Sequence, residues 1–228
     1  MSIADNLIKY KKELEGENVE LIAVSKFNDT SAVLEAYNGG QRIFGENIVQ
    51  ELVEKQEALP KDIAWHMIGH LQTNKVKYIA PFIKLIQSVD SAKLLAEINK
   101  QAAKNNRVID CLLQVYIADE ETKFGLDHAE VIELLRSEEY LMMKNIRITG
   151  LMGIASNHAE EKQTKDEYQE LKVLFDGIKL SFFRKEDSFR ELSMGMSGDY
   201  KLAIEEGSTM VRIGSSIFGV RKIKHYKA

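Results

Sequence analysis

Short apolar runs punctuate this sequence at nearly regular intervals, and between almost every two of them lies a stretch with helical periodicity. The runs fall at 21–26, 42–46, 64–69, 85–89, 111–117, 146–154, 192–194 and 210–213. They carry β-branched residues such as Ile22, Val24, Val89 and Val115 and are bounded by polar or glycine-bearing turns, so each reads as a strand. The intervening stretches place apolar residues on one helical face: Val33, Leu34 and Tyr37; Ile48, Leu52 and Val53; Leu94, Leu95 and Ile98 behind an N-cap at Ser91; Val131, Leu134 and Leu135; Tyr168, Leu171, Phe175 and Ile178. Shorter helices are predicted around 73–79 and over 200–205. A strand followed by a crossover helix re-enters the sheet from the same edge, so this alternation dictates parallel strands. About eight such units in 228 residues predict an α/β fold, a closed (β/α)8 TIM barrel rather than an open doubly wound sheet. An extra N-terminal helix over 2–15, with Ile3, Leu7, Tyr10 and Leu14 on one face and Gly16 at its end, precedes the barrel. No low-complexity linker, charge block or fixed-period repeat divides the chain, so residues 1–228 are expected to form a single domain.

In such a barrel the C-terminal ends of all strands face one mouth, and the site lies there. Lys26 closes the first run. Taken alone it is either a solvated lysine at a strand–loop junction or an amine aimed into a site. Glu46, Asn47, Ile68, Gly69, Ser88, Asp90 and Ile154 are the other rim positions. Phosphate groups in these barrels commonly sit on the loops after the seventh and eighth strands. Those loops read Ser193-Met194-Gly195-Met196-Ser197-Gly198-Asp199 and Arg212-Ile213-Gly214-Ser215-Ser216. Gly195, Gly198 and Gly214 let backbone N–H groups approach an anion, and Ser197 and Ser215 add hydroxyl donors. A helix starting near Ser197 would turn its positive end to the same point. A lysine facing a phosphate site is either a counter-ion or a nucleophile toward a phosphorylated aldehyde such as pyridoxal phosphate.

Other chemistries find little support. A net charge of -4 favours neither nucleic acid nor an anionic membrane. No stretch approaches the ~20 apolar residues of a spanning helix, and the first residues lack the apolar region of a signal peptide, so the cytoplasm is expected. The single Cys111 lies in a buried-strand pattern and reads as a small core residue. His66 and His70 lack a third ligand at metal spacing, and His128, His158 and His225 read as exposed helix or tail residues. Dinucleotide, P-loop and nucleophile-elbow patterns are missing from the sequence.

The two late turns, together with Ala203-Ile204-Glu205-Glu206-Gly207-Ser208-Thr209-Met210-Val211, resemble the signature of the pyridoxal phosphate homeostasis proteins, single-domain relatives of the alanine racemase N-terminal barrel. Further similar motifs follow in order: Ala23-Val24-Ser25-Lys26, Phe44-Gly45-Glu46-Asn47, Trp65-His66-Met67-Ile68-Gly69-His70-Leu71-Gln72-Thr73-Asn74-Lys75, Lys123-Phe124-Gly125 and Gly150-Leu151-Met152-Gly153. The resemblance implies pyridoxal 5′-phosphate (PLP) as cofactor, linked to Lys26 through a Schiff base. It implies that Met196, Ser197, Gly214 and Ser215 hold the phosphate, that Arg212 faces the pyridine nitrogen and that Asn47 touches the cofactor from the second strand end. An arginine cannot accept a pyridinium proton, so the ring would stay neutral and be a weaker electron sink than one opposite aspartate. His66 and Lys123 are expected at the mouth. The implied function is intracellular PLP homeostasis, with reversible binding and delivery to apo-enzymes and no catalytic turnover; the alternative is a weak amino-acid racemase. The two turns taken alone would support only a phosphate-binding barrel. Alanine racemase has a second, C-terminal domain whose tyrosine, from the partner subunit, is one of two bases. This chain ends soon after its last strand, so neither that base nor that dimer interface is expected, and a monomer is. Family members often carry threonine or proline where this sequence reads Phe27-Asn28-Asp29, so contacts beside Lys26 are expected to differ.

Overall fold

A computed structural model describes residues 2–118, 124–157 and 159–219. Its strands are β1 (Glu20–Val24), β2 (Ile43–Glu46), β3 (Ala64–Met67), β4 (Leu85–Val89), β5 (Ile109–Val115), β6 (Ile146–Gly153), β7 (Glu191–Met196) and β8 (Met210–Ile213). They pair in sequence order, all parallel, and β8 pairs back onto β1, so the sheet closes as the alternation predicted. Around it run α1 (Ile3–Glu13), α2 (Thr30–Asn38), α3 (Val49–Ala58), α4 (Val76–Ile79), α5 (Ala92–Lys104), α6 (His128–Arg136), α7 (Glu138–Leu141), α8 (Glu161–Phe182), α9 (Tyr200–Glu205) and α10 (Ser215–Phe218).

The expected N-terminal helix is α1. Ser2 caps it in a reciprocal box with Asp5, which satisfies two of the N–H groups a helix start leaves unpaired. Leu7 and Tyr10 are buried against the barrel's outer layer, and Asn6 Nδ2 donates to Ile217 O of α10 at 2.9 Å. Several boundaries depart from the expectation. The first strand ends at Val24, so Lys26 lies in the following turn; β7 begins at Glu191 and extends to Met196; and the third and fifth strands shift at their ends, to Ala64–Met67 and Ile109–Val115, while α10 is a helix of 4 residues where a turn was read. A helix of one turn carries no measurable period, which is why the sequence shows it as a turn.

The core has two parts. A large outer cluster, from Leu7 to Ile217, fills the space between strands and helices. A small inner cluster of Ile22, Leu85, Leu112, Met152 and Met210, with Ile43 against it, fills part of the barrel interior. Polar side chains continue the filling. His66, Gln87, Ser193 and Arg212 are all buried and joined by hydrogen bonds across β3, β4, β7 and β8. Buried polar groups are stable only when so satisfied.

Candidate functional site

Strand alternation decides which side chains reach the mouth. In β2, a Cβ on Gly45 would meet Ile22 and Ile68, so that position faces the barrel interior. The next residue, Glu46, therefore turns outward, and Asn47 turns back in. Asn47 sits tightly against the end of β3: a Cβ at Gly69 would lie 2.6 Å from Asn47 O. Only glycine allows that approach. Near the end of β7, Gly195 has a φ of +92 and a 2.5 Å Cβ approach to Ala203 that likewise require glycine. Met196 N donates to Asp199 Oδ1 at 2.5 Å and Asp199 N to Met196 O at 3.2 Å, closing a turn over 196–199. That turn places the start of α9 at Tyr200, as the expected 200–205 helix has it, and not near Ser197, where its positive end was expected. Gly214 N donates to Ser197 Oγ at 3.4 Å, which ties the two late turns together.

Between these turns and β1 lies a cavity of about 240 Å³. It is lined by Lys26, Asn47, Met196, Ser197, Arg212, Gly214 and Ser215, so the seven cofactor contacts that the resemblance implied meet in one place. Ile68, Ile154 and Gly198 also line it, as does Asn28, whose Nδ2 donates to Lys26 O at 3.1 Å. Sequence reading passed over Val24, Asn28 and Gly219; Asn28 belongs to the segment where the family motif is broken, which was the available signal. Asn47 Oδ1 is buried and has no hydrogen-bond partner among the described residues. In α10 the first N–H to find a carbonyl is that of Ile217, 2.8 Å from Gly214 O. The N–H groups of Ser215 and Ser216 precede it, and such leading groups of a helix are open to an anion.

Arg212 forms the floor. Nη1 donates to Ser193 Oγ at 2.7 Å and Nη2 to Gly153 O at 2.8 Å. Ser193 Oγ donates onward to Gln87 Oε1 at 2.7 Å, and Gln87 Nε2 lies 3.0 Å from His66 Nδ1. An amide NH2 can only donate, so it donates to His66 Nδ1 and leaves the ring proton on Nε2. Burial, reinforced by the charge of Lys84, pushes the His66 pKa down to about 3, consistent with a neutral acceptor. Burial also lowers the Arg212 pKa, against the opposing influence of Tyr168 and Asp199; a guanidinium stays a cation.

Several rim expectations are corrected. His66 does not reach the mouth: it is 3% exposed, inside the barrel beneath Gln87, because β3 turns that position inward below Ile68. Glu46 is fully buried outside the cavity lining, where Ser25 Oγ donates to it at 2.6 Å and Lys55 Nζ at 2.7 Å. Ser88 is buried and Asp90 is bonded to His70 at 2.8 Å; neither lines the cavity. His128 is only partly exposed and pairs with Glu170 at 3.4 Å. Lys123, His158 and His225 lie outside the described residues.

Residues 1–222 match the family described as the N-terminal domain of alanine racemase. The pyridoxal phosphate homeostasis protein of Aquifex aeolicus is 42% identical over 209 residues, covering 91% of this chain and 90% of that protein. Its counterpart in Escherichia coli K12 is 37% identical over 209 residues, with 90% and 87% covered. Among solved structures, PipY of Synechococcus elongatus PCC7942 with PLP bound superposes with a TM-score of 0.86 at 35% identity, over 96% of this chain and all of that one.

Proposed function

The chain belongs to the alanine racemase N-terminal domain family and, within it, to the pyridoxal phosphate homeostasis proteins, and we propose on that footing that it binds PLP reversibly and delivers it to apo-enzymes. The observation that carries the reading is the convergence of the lysine in the turn after β1 and the last two turns on one cavity of about 240 Å³. When bound, PLP supplies an aldehyde that a neutral amine can condense with, losing water, and a ring that withdraws electrons.

The residues present fit that group. Lys26 is the cavity's primary amine. Ser197 and Ser215 hydroxyls and the leading N–H groups of α10 suit a phosphate. Asn47 Oδ1 is a buried acceptor lacking a donor among the described residues, and a leftover acceptor of this kind favours a polar ligand. Arg212, held by Ser193 and Gly153, is donor-only and cannot accept a hydrogen bond from a pyridinium N–H, so a ring nitrogen facing it would stay unprotonated and the ring a poor electron sink.

The same site supports retention without turnover. Racemisation needs a proton-transfer group on each face of the substrate. Among the described residues that line the cavity, Lys26 and Arg212 are the side chains with an ionisable group, and a guanidinium does not give up its proton, which leaves Lys26 as the one acid–base group.

The test is a spectrum of purified protein with PLP before and after borohydride, then mass mapping of the labelled residue. A band near ~420 nm that reduction fixes onto Lys26, and transfer of bound cofactor to an apo-transaminase, is the expected result. Label on another residue, or cofactor never released to excess acceptor, overturns it.

A further inference from the structure

The turn that carries Lys26 is held from behind by charged groups that lie outside the cavity lining. Asn28 N donates to Ser25 O at 3.0 Å, closing a four-residue turn with Lys26 and Phe27 at its centre. Phe27 has φ +64, a left-handed conformation that this turn position normally reserves for glycine. Adjacent residues are anchored instead of free to relax. Phe27 N donates to Glu51 Oε1 at 2.8 Å, and Lys55 Nζ donates to Ser25 O at 2.8 Å. Ser25 Oγ donates to Glu46 Oε1 at 2.6 Å. The anchors are one unit: Lys55 Nζ also donates to Glu46 Oε1 and Glu51 Oε1, each at 2.7 Å, and the three side chains are at most 3% exposed.

Two carboxylates and one ammonium buried together are an expensive arrangement, and apolar residues of the same volume would often be at least as stable. Their retention calls for something beyond packing. Every one of the three contacts the backbone or side chain of Ser25 or Phe27, the two neighbours of Lys26.

We propose that Glu46, Glu51 and Lys55 are positioning residues for the Lys26 amine: they hold Phe27 in its left-handed conformation and thereby set the direction in which Lys26 enters the cavity. This rests on the reading of Lys26 as the residue that joins the PLP aldehyde. The amine then loses its proton, its nitrogen bonds the aldehyde carbon, and water leaves. A misdirected lysine weakens that link without altering the phosphate turns, whose residues follow β7 and open α10 and make no hydrogen bond to Glu46, Glu51 or Lys55 among the described residues.

Glu51→Met keeps the side chain's length and removes the acceptor of Phe27 N–H, whereas Glu51→Gln keeps an acceptor there. Affinity is measured for PLP and for pyridoxine phosphate, which has an alcohol in place of the aldehyde and cannot form the C=N link. A left-handed non-glycine residue costs about 1–2 kcal/mol, so Glu51→Met is expected to lower the PLP-to-pyridoxine-phosphate affinity ratio about tenfold. Pyridoxine phosphate itself should bind within about twofold of wild type, and Glu51→Gln should keep the ratio within about threefold. Adding Phe27→Gly to Glu51→Met should restore most of the ratio, because glycine adopts the turn unaided. An unchanged ratio in Glu51→Met, an equal loss for both ligands, or no recovery with Phe27→Gly overturns the proposal. Wild type forming no C=N link at Lys26 overturns it too, and separates a fault in the reading from a fault in the clamp, since it needs no variant.

Discussion

Arg212 has two hydrogen bonds to this protein through its guanidinium, and one partner, Ser193, holds a second task. Ser193 Oγ accepts from Arg212 and donates to Gln87, so a single hydroxyl connects the cavity floor to the barrel interior. Ser193→Ala leaves Gln87 Oε1 and one arginine N–H buried without that partner. Such a loss costs about 1–3 kcal/mol, measurable as a lower urea midpoint at unchanged slope. Lys26→Ala acts differently: the absorbance near ~420 nm should vanish while PLP still binds weakly through its phosphate. That is readable by equilibrium dialysis, because the amine and the phosphate turns are separate contacts within the one cavity. Lys26 and Ser197 were visible in the sequence as residues at strand ends. Ser193 and Gln87 were not visible as partners, since 106 residues separate them. No local pattern relates positions that far apart.

At the scale of elements, α10 is the one whose nature the sequence misread. Gly214-Ser215-Ser216 looked like a turn, and the structure makes it the start of a helix of 4 residues. So short a helix is marginal alone and depends on its neighbours. Its neighbour is α1: Asn6 Nδ2 donates to Ile217 O, and Ile217 is fully buried. The extra N-terminal helix thus props the element that presents Ser215 to the cavity. Asn6→Ala removes one hydrogen bond of about 1 kcal/mol. Pyridoxine phosphate affinity should fall about two- to fivefold, with the PLP link at Lys26 still formed; calorimetry on both ligands checks this. By contrast α9 and β8 appear over the residues the sequence indicated, 200–205 and 210–213, because each carries enough apolar residues between clear turns to declare itself.

Across the whole molecule two buried groups give stability opposite dependences on pH. Burial raises the Glu46 pKa from its ordinary 4.5 to about 7, with Lys55 opposing and Glu51 adding to the rise. Folded protein then binds a proton that unfolded chain does not, so this contribution is full below 4.5 and is lost as pH rises through about 7. His66, facing Gln87 with Lys84 nearby, goes the other way. Its pKa falls from 6.5 to about 3, so its contribution is full above 6.5 and is lost as pH falls toward about 3. Between 4.5 and 6.5 the two slopes oppose each other. Glu46→Gln removes the first alone. Its urea midpoint should fall on acidification from 6.5 to 4.5, where opposing slopes hold wild type flatter, and should no longer decline between 6.5 and 7 as pH rises. A profile parallel to wild type would mean Glu46 does not carry the titration.

Alternation of apolar runs with helical stripes was enough to establish parallel strands, a closed barrel, and a mouth holding Lys26 and the late glycine-serine turns. Those properties follow from local periods and from the handful of ways a parallel sheet can be connected. Which side of each strand faces inward was beyond it. Barrel strands are buried on both faces, so Glu46, His66 and Asn47 sit among apolar neighbours that give no direction. Closure of β8 onto β1 made that choice. It sent Glu46 out to Lys55, His66 in to Gln87, and Asn47 to the cavity, because only the assembled ring determines which alternate residues share its limited interior.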